Sequence, residues 1–171
     1  TSLSGKQITL TYVEPGIWFG DVAIFDGDQR THDAYAHGDT TILCVAKADF
    51  KKILAAHVEF YEAMLRLHAR RIRQLYGLVE DLNTLPLRAR LAKQLLHLVR
   101  SYGIPSLANG NEMRIGLQLA QEELAQLLGA SRQRVNQELK GMEREHIIRI
   151  EPGGLVVRDR AALMQIAEST L

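Results

Sequence analysis

Apolar and polar positions along this chain change their period twice, and the changes divide it into parts. Through residues 1–46 short apolar runs alternate with turn residues at Gly16, Asp26-Gly27-Asp28 and His37-Gly38-Asp39, a strand-like pattern. Lys47 to His57 reads as a short helix. From there Val58, Tyr61, Leu65, His68, Ile72, Leu75, Val79 and Leu82 recur at alternating steps of three and four, which predicts one long helix to about Leu82. Thr84-Leu85-Pro86 interrupts it, and Pro86 is suited to open the next helix, which runs to Tyr102-Gly103. Gly103 to Asn111 reads as a loop, and Ile115, Leu117 and Leu119 then alternate with Gly116 and Gln118 as a half-buried strand would.

The densest signal follows, in QEELAQLLGASRQRVNQELKGM over Gln121 to Met142. Two short helices meet across a tight turn. Ala125 is small where they must approach, Gly129 can take the positive φ that ends the first, and Ser131 can cap the second. Leu124, Leu128, Val135 and Leu139 hold the pair together. Arg132, Gln133, Arg134 and Gln137 are left facing outward near the start of the second helix, with side chains suited to phosphates and base edges in a major groove. Beyond it, Ile147-Ile148-Arg149-Ile150, Pro152-Gly153-Gly154 and Leu155-Val156-Val157-Arg158 form a hairpin pattern. Strand, helix, helix, hairpin is the order of a winged helix, so the segment reads as a DNA-binding helix-turn-helix.

The seam of the long helix has the spacing of coiled-coil contacts and so calls for a partner helix, while Met64, Leu67 and Leu78 on a flanking face are free to pack on the chain's own strands. A symmetric dimer is the preferred reading, because helix-turn-helix dimers set two recognition helices about one DNA turn apart. The interface residues are then Tyr61, Leu65, His68, Ile72, Leu75, Val79 and Leu82, with His68 as a hydrogen-bonded polar member of the seam.

Composition narrows the class. At 171 residues, 46% hydrophobic and 24% charged, the chain suits one large or two small globular domains. No run of about 18 uninterrupted apolar residues predicts a membrane helix, and nothing at the amino terminus resembles a signal peptide. A single cysteine, Cys44, suits a reducing cytoplasm and reads as a buried strand residue. The net charge of +1 conceals an asymmetry: residues 1–83 carry 9 Lys+Arg against 11 Asp+Glu, residues 84–171 carry 12 against 9. The positive charge gathers at Arg132, Arg134, Lys140, Arg144, Arg149 and Arg158.

The order strand-rich segment, dimer helix, winged helix resembles the Crp/Fnr superfamily of bacterial transcription regulators, the cyclic AMP receptor protein type. The residues that carry the resemblance are Gly20-Asp21-Val22-Ala23 with Arg30-Thr31, Arg70-Arg71 in the long helix, and Glu123-Leu124-Ala125 with Gly129-Ala130-Ser131-Arg132. It covers nearly all of the chain and implies an α+β fold in three parts. These are the C-terminal part of a cyclic-nucleotide-binding-type β-roll over 1–56, a dimerisation helix and hinge over 57–83, and a winged helix-turn-helix over 84–171. It also implies a homodimer on double-stranded DNA with an inverted-repeat operator, and RNA polymerase as a further partner. By the family pattern Arg132, Gln133 and Gln137 read bases, while Ser131 and Arg134 sit near phosphates.

Departures from the family pattern sharpen these expectations. Gln133 stands where glutamate is usual and Gln137 where arginine is usual, so the preferred operator differs. Ala120 replaces a capping hydroxyl, at a cost of about 1 kcal/mol to the first helix. Family members have further strands before the position of Thr1, so the amino-terminal strands are expected to lack partners. In cyclic-nucleotide binders of this type a glycine-acid pair meets the ribose and an Arg-Ser or Arg-Thr pair the phosphate. The resemblance therefore marks Gly20, Asp21, Arg30 and Thr31 as an effector site for a cyclic AMP-like ligand. Against this, Asp21 is a methylene shorter than the usual glutamate, Asp33 sits close by, and Leu75 and Tyr76 replace hydroxyls that meet adenine. The reading preferred here keeps these residues as scaffold, with Arg30 pairing an acidic neighbour.

Other classes find little footing. One cysteine cannot hold an iron–sulfur cluster, and the six histidines form no recognisable haem pair. There is no GxxxxGK[ST], HExxH or GxSxG, so no enzyme and no catalytic residue is expected. Asp26, Asp28 and Asp33 lack the closing glutamate of a calcium loop and read as a solvated turn, so no metal is expected either. The alternative function is a ligand-sensing or dimerisation module whose winged helix contacts protein instead of DNA.

Overall fold

The computed structural model describes residues 8–106 and 112–169, and the chain gathers into two compact units. One is Val13–Gly77; the other draws on Thr1–Tyr12 and Leu78–Leu171.

In the first unit a short turn of helix, α1 (Val22–Phe25), precedes α2 (Lys47–Ala56) and most of α3 (Val58–Thr84). Phe50 and Leu54 on α2 and Met64 on α3 form a small buried cluster with Ile24, Phe60 and Leu67 around it. Edge-to-face aromatic contacts extend it: Phe50 meets Trp18, Phe25 and Phe60 with centroids 5.7, 5.9 and 5.8 Å apart. The expected strands over residues 1–46 do not form among the described residues, which hold only α1 before α2. A strand exists as one side of a hydrogen-bonded ladder, and residues 8–46 meet no second strand. Ile42, Leu43 and Val45 stay exposed, and Cys44 is exposed too, where the sequence predicts a buried strand residue.

The second unit is a winged helix. Pro86 starts α4 (Leu87–Tyr102) from an extended N-cap conformation, and α4 buries Leu91, Ala92, Leu95 and Leu98. Next come β1 (Gly103–Pro105) and β2 (Met113–Ile115), then α5 (Gln121–Leu127), α6 (Arg132–Arg144), β3 (Ile148–Glu151), β4 (Gly154–Val157) and α7 (Arg160–Glu168). The four strands form an antiparallel sheet in the order β1-β2-β4-β3. The wing turns at Pro152-Gly153, where Gly153 takes φ +71° after a proline, the residue pair a type II turn favours. Three details differ from the sequence reading. The segment from Gly103 opens as a strand, its residues 107–111 lying outside the described residues; β2 ends at Ile115 before Leu117 and Leu119; and α7 closes the core with Leu163 and Ala167.

Glu112, almost fully buried, is the polar anchor of this sheet. Arg149 Nη1 and Arg158 Nε donate to its two carboxylate oxygens at 2.8 and 2.9 Å. The Arg158 hydrogen bond first, and then Arg149, hold the carboxyl below the usual glutamate range against the opposing pull of burial. At the edge of the unit the Tyr12 hydroxyl donates to Glu123 at 2.9 Å, and burial together with that acceptor pushes the phenol up.

Candidate nucleic-acid interface

The helix-turn-helix is built by caps. After the last turn of α5, Gly129 takes φ +60°, its N–H bonds to Gln126 O at 3.1 Å and the Ala130 N–H bonds to Ala125 O at 3.0 Å. That is the Schellman arrangement, which ends a helix within one residue and frees the chain to turn. Two residues later Ser131 Oγ accepts the Arg134 N–H at 3.3 Å and opens α6. Ala120 at the start of α5 has no side-chain oxygen to offer, and Glu123 supplies part of a cap by accepting the Ala120 N–H at 3.3 Å. Arg90 on α4 donates to Leu128 O at 2.8 Å, so the carboxyl end of α5 is held from behind as well.

Val135, Leu139 and Met142 seat α6 in the core, with Gly141 also buried. A Cβ on Gly141 would stand 3.2 Å from Arg88 Nη1, so the glycine lets Arg88 lie across the helix. Arg88 reaches Glu145 at 2.6 Å and Glu138 at 3.7 Å, and Glu143 accepts the Ile150 N–H of the wing at 2.8 Å. The acids of α6 and its carboxyl cap are therefore drawn to the inner and flanking sides. Asn136 is also engaged, accepting from Gln121 at 3.4 Å.

What faces outward is the set named from sequence. Ser131, Arg132, Gln133, Arg134 and Gln137 are all exposed, together with Lys140 and Arg144 farther along α6. Among the described residues Arg132, Arg134, Lys140 and Arg144 make no ion pair. Arg149 and Arg158 are spent on Glu112, so the basic footprint is narrower than the sequence count implied, and it is centred on α6.

In the other unit Gly20, Asp21 and Arg30 come together. Gly20 has φ +76°, and the Arg30 guanidinium packs beside it, 3.4 Å from an ideal Cβ. Asp21 is buried, 2% exposed, and is held from α3: Arg71 Nη1 donates to both its oxygens at 3.1 and 2.9 Å, and His68 Nε2 lies 3.3 Å away. Arg71 also donates to Trp18 O. The acid that pairs with a basic group here is thus Asp21, and its partner is Arg71, a residue the sequence reading carried only as part of the family resemblance. Thr31 is exposed, its hydroxyl 2.8 Å from His32 Nδ1.

Along α3, Val58, Tyr61, Leu65, Ile72, Leu75, Val79 and Leu82 are all exposed, whereas Met64 of the flanking face is buried and Leu67 half-buried. Leu78 is exposed and does not join them. His68 differs from its neighbours in the seam: its ring packs edge-on against Phe25, centroids 5.4 Å apart, beside Asp21.

A capped helix-turn-helix followed by a wing is the architecture of DNA-binding regulators, and comparison with known proteins identifies the family. Residues 89–166 match the Crp-like helix-turn-helix domain and residues 1–57 the cyclic nucleotide-binding domain. The CRP-like cAMP-activated global transcriptional regulator of Mycobacterium tuberculosis is 32% identical over 163 residues, covering 95% of this chain and 71% of that protein. The cyclic AMP receptor protein of Thermus thermophilus is 31% identical over 167 residues, 98% of this chain and 73% of that one. Among solved structures, a transcriptional regulator of the CRP/FNR family from Thermus thermophilus superposes with a TM-score of 0.71 at 27% identity, over 98% of this chain and 80% of its own. The chain belongs to the Crp/Fnr superfamily of transcription regulators. These relatives are regulators and not enzymes. Among the described residues no helix is long and apolar enough to cross a membrane.

Proposed function

We propose that this protein is a dimeric, sequence-specific DNA-binding transcription regulator whose operator affinity is set by an effector. Two chains pair along α3 through Tyr61, Leu65, His68, Ile72, Leu75, Val79 and Leu82, and each places α6 in a major groove. Ser131 and Arg134 meet phosphates and Arg132, Gln133 and Gln137 meet base edges. The observation that carries this reading is the outer side of α6, where exposed amides and cations without an ion pair among the described residues stand with the acids of the helix turned away. Arginine forking onto guanine O6 and N7 makes Arg132 the leading base contact.

The division of labour follows the three parts: effector binding over 1–56, pairing over 57–83 and DNA reading over 84–171. The cytoplasm is where such a regulator meets DNA and RNA polymerase. The match of residues 1–57 to the cyclic nucleotide-binding domain moves Gly20, Asp21, Arg30 and Thr31 from scaffold to effector contacts in this reading, with Arg30 and Thr31 suited to an anion. Cyclic AMP is the first ligand to test, because relatives named as cAMP-activated or as a cyclic AMP receptor align with most of this chain. A ligand bound there would share Asp21 with Arg71 and His68 of α3, and so would act on the helix that pairs the two chains.

Titrating duplex DNA at several salt concentrations tests the reading. Phosphate-dominated binding weakens as a steep power of salt, and Arg132→Ala lowers operator affinity about 5- to 150-fold. Binding that ignores salt, with Arg132→Ala silent, would favour a winged helix that contacts protein.

A further inference from the structure

The outermost line of α6 is more specific than a generic DNA-reading surface. At about 100° per residue, Gln133, Gln137, Lys140 and Arg144 fall within about 60° of one another, opposite the buried Val135, Leu139 and Met142. The amino-terminal half of this line, the half that a recognition helix presents to base edges, consists of two glutamines one turn apart. The two cations follow them. No carboxylate shares the line, since Glu138 and Glu145 face Arg88 and Glu143 holds the Ile150 N–H.

Each base edge asks for a definite partner. Cytosine N4 donates and calls for a carboxylate; guanine O6 and N7 accept and call for a guanidinium; adenine offers one donor and one acceptor, N6 and N7, which an amide matches with its own oxygen and nitrogen. Neither Gln133 nor Gln137 is hydrogen-bonded to another side chain among the described residues, so both amides are free to turn their two ends to a base. Four residues of helix span about 6 Å, close to two base-pair steps of about 3.4 Å.

We propose that Gln133 and Gln137 act as an adenine-reading pair, which gives this protein a half-site with two A·T pairs, adenines in reach of α6, within about two steps of each other. This rests on the DNA-binding reading above and adds to it the identity of two bases. Arg132, on the flank of the same turn, is left to read a neighbouring guanine.

The test uses the full chain and an operator obtained by selection from random duplex. Each adenine of one half-site is replaced in turn by 7-deazaadenine, which keeps N6 and lacks the N7 acceptor. The wild-type protein should lose about fivefold or more in affinity at two positions. Gln133→Ala should be insensitive at one of them and Gln137→Ala at the other. Gln133→Glu, repeated in the selection, should exchange A·T for C·G at a single position. Both glutamines are exposed, and unchanged thermal melting of the variants would separate lost readout from lost folding. An operator that is selected but shows no 7-deazaadenine effect, or variants that weaken all positions alike, overturns the adenine pair and leaves the DNA-binding reading standing. Binding with no base preference at all overturns both.

Discussion

Ser131 Oγ accepts the N–H of Arg134 at 3.3 Å, and this one bond joins the turn of the helix-turn-helix to the first turn of α6. It satisfies one of the donors that a helix start leaves unpaired. Ser131→Ala is expected to lower the stability of the winged helix by about 1 kcal/mol, read as a drop in the denaturation midpoint at unchanged m-value. Ser131→Asp, which keeps an acceptor, should restore most of that stability while adding a negative charge beside the phosphates, so stability and DNA affinity should separate in this variant.

The carboxyl end of α6 carries the opposite situation. His146 takes φ +60°, the conformation that costs a residue with a side chain about 1 kcal/mol or more. It occupies the position after the cap, with its N–H bonded to Glu143 O at 3.0 Å and the Ile147 N–H to Met142 O at 3.0 Å. Since the His146 side chain is exposed, His146→Gly is expected to stabilise the fold by about 1 kcal/mol, measured by thermal or urea unfolding. A loss of stability would mean that the histidine makes a contact worth more than its backbone strain.

Acid should loosen the sheet through Glu112. Its carboxyl is held below the ordinary value of 4.5 by Arg158 and Arg149, so the folded state favours the ionised form more than the unfolded chain does. The stability this contributes is complete above pH 4.5 and is lost as pH falls through the lowered folded value. Glu112→Gln should therefore melt well below the wild type at pH 7, and the gap should narrow steadily below pH 4.5. A gap that stays constant to pH 3 would assign the loss to packing and not to the ion pairs.

Leu75 sits mid-seam and 59% exposed, so a charge there does not disturb the chain's own core. Leu75→Glu is expected to convert a dimer to monomers in sedimentation, and to weaken binding to a paired site far more than to a half-site. A dimer that survives the change would move the interface away from α3.

Much of this architecture is legible from the chain alone, for physical reasons that differ by segment. The eight-position seam from Val58 to Leu82 repeats often enough to fix α3, and Gly129 and Ser131 are cap residues whose chemistry leaves few alternatives. Helix α7 has a local signal of its own: Asp159 before the run caps it by accepting the Ala162 N–H at 2.9 Å, and Leu163, Ile166 and Ala167 share one face. By contrast β1 is three residues ending in proline, too short for any period to show. Residues 8–46 have strand-like composition, yet composition supplies no partner strand. The Glu112 pairs join residues 37 and 46 positions apart, which no local pattern reveals. In the unit Val13–Gly77 the sequence marked Gly20, Asp21 and Arg30, and the structure brings them together, but that Asp21 is taken up by Arg71 follows only from how α3 packs.

The most direct measurement is selection of binding sites by this protein from random duplex DNA at about physiological salt, with and without cyclic AMP. An inverted repeat whose half-sites lie about 10 bp apart, centre to centre, should be enriched, as two α6 helices on one dimer require. No enriched sequence under either condition, with binding also absent at low salt, would contradict it.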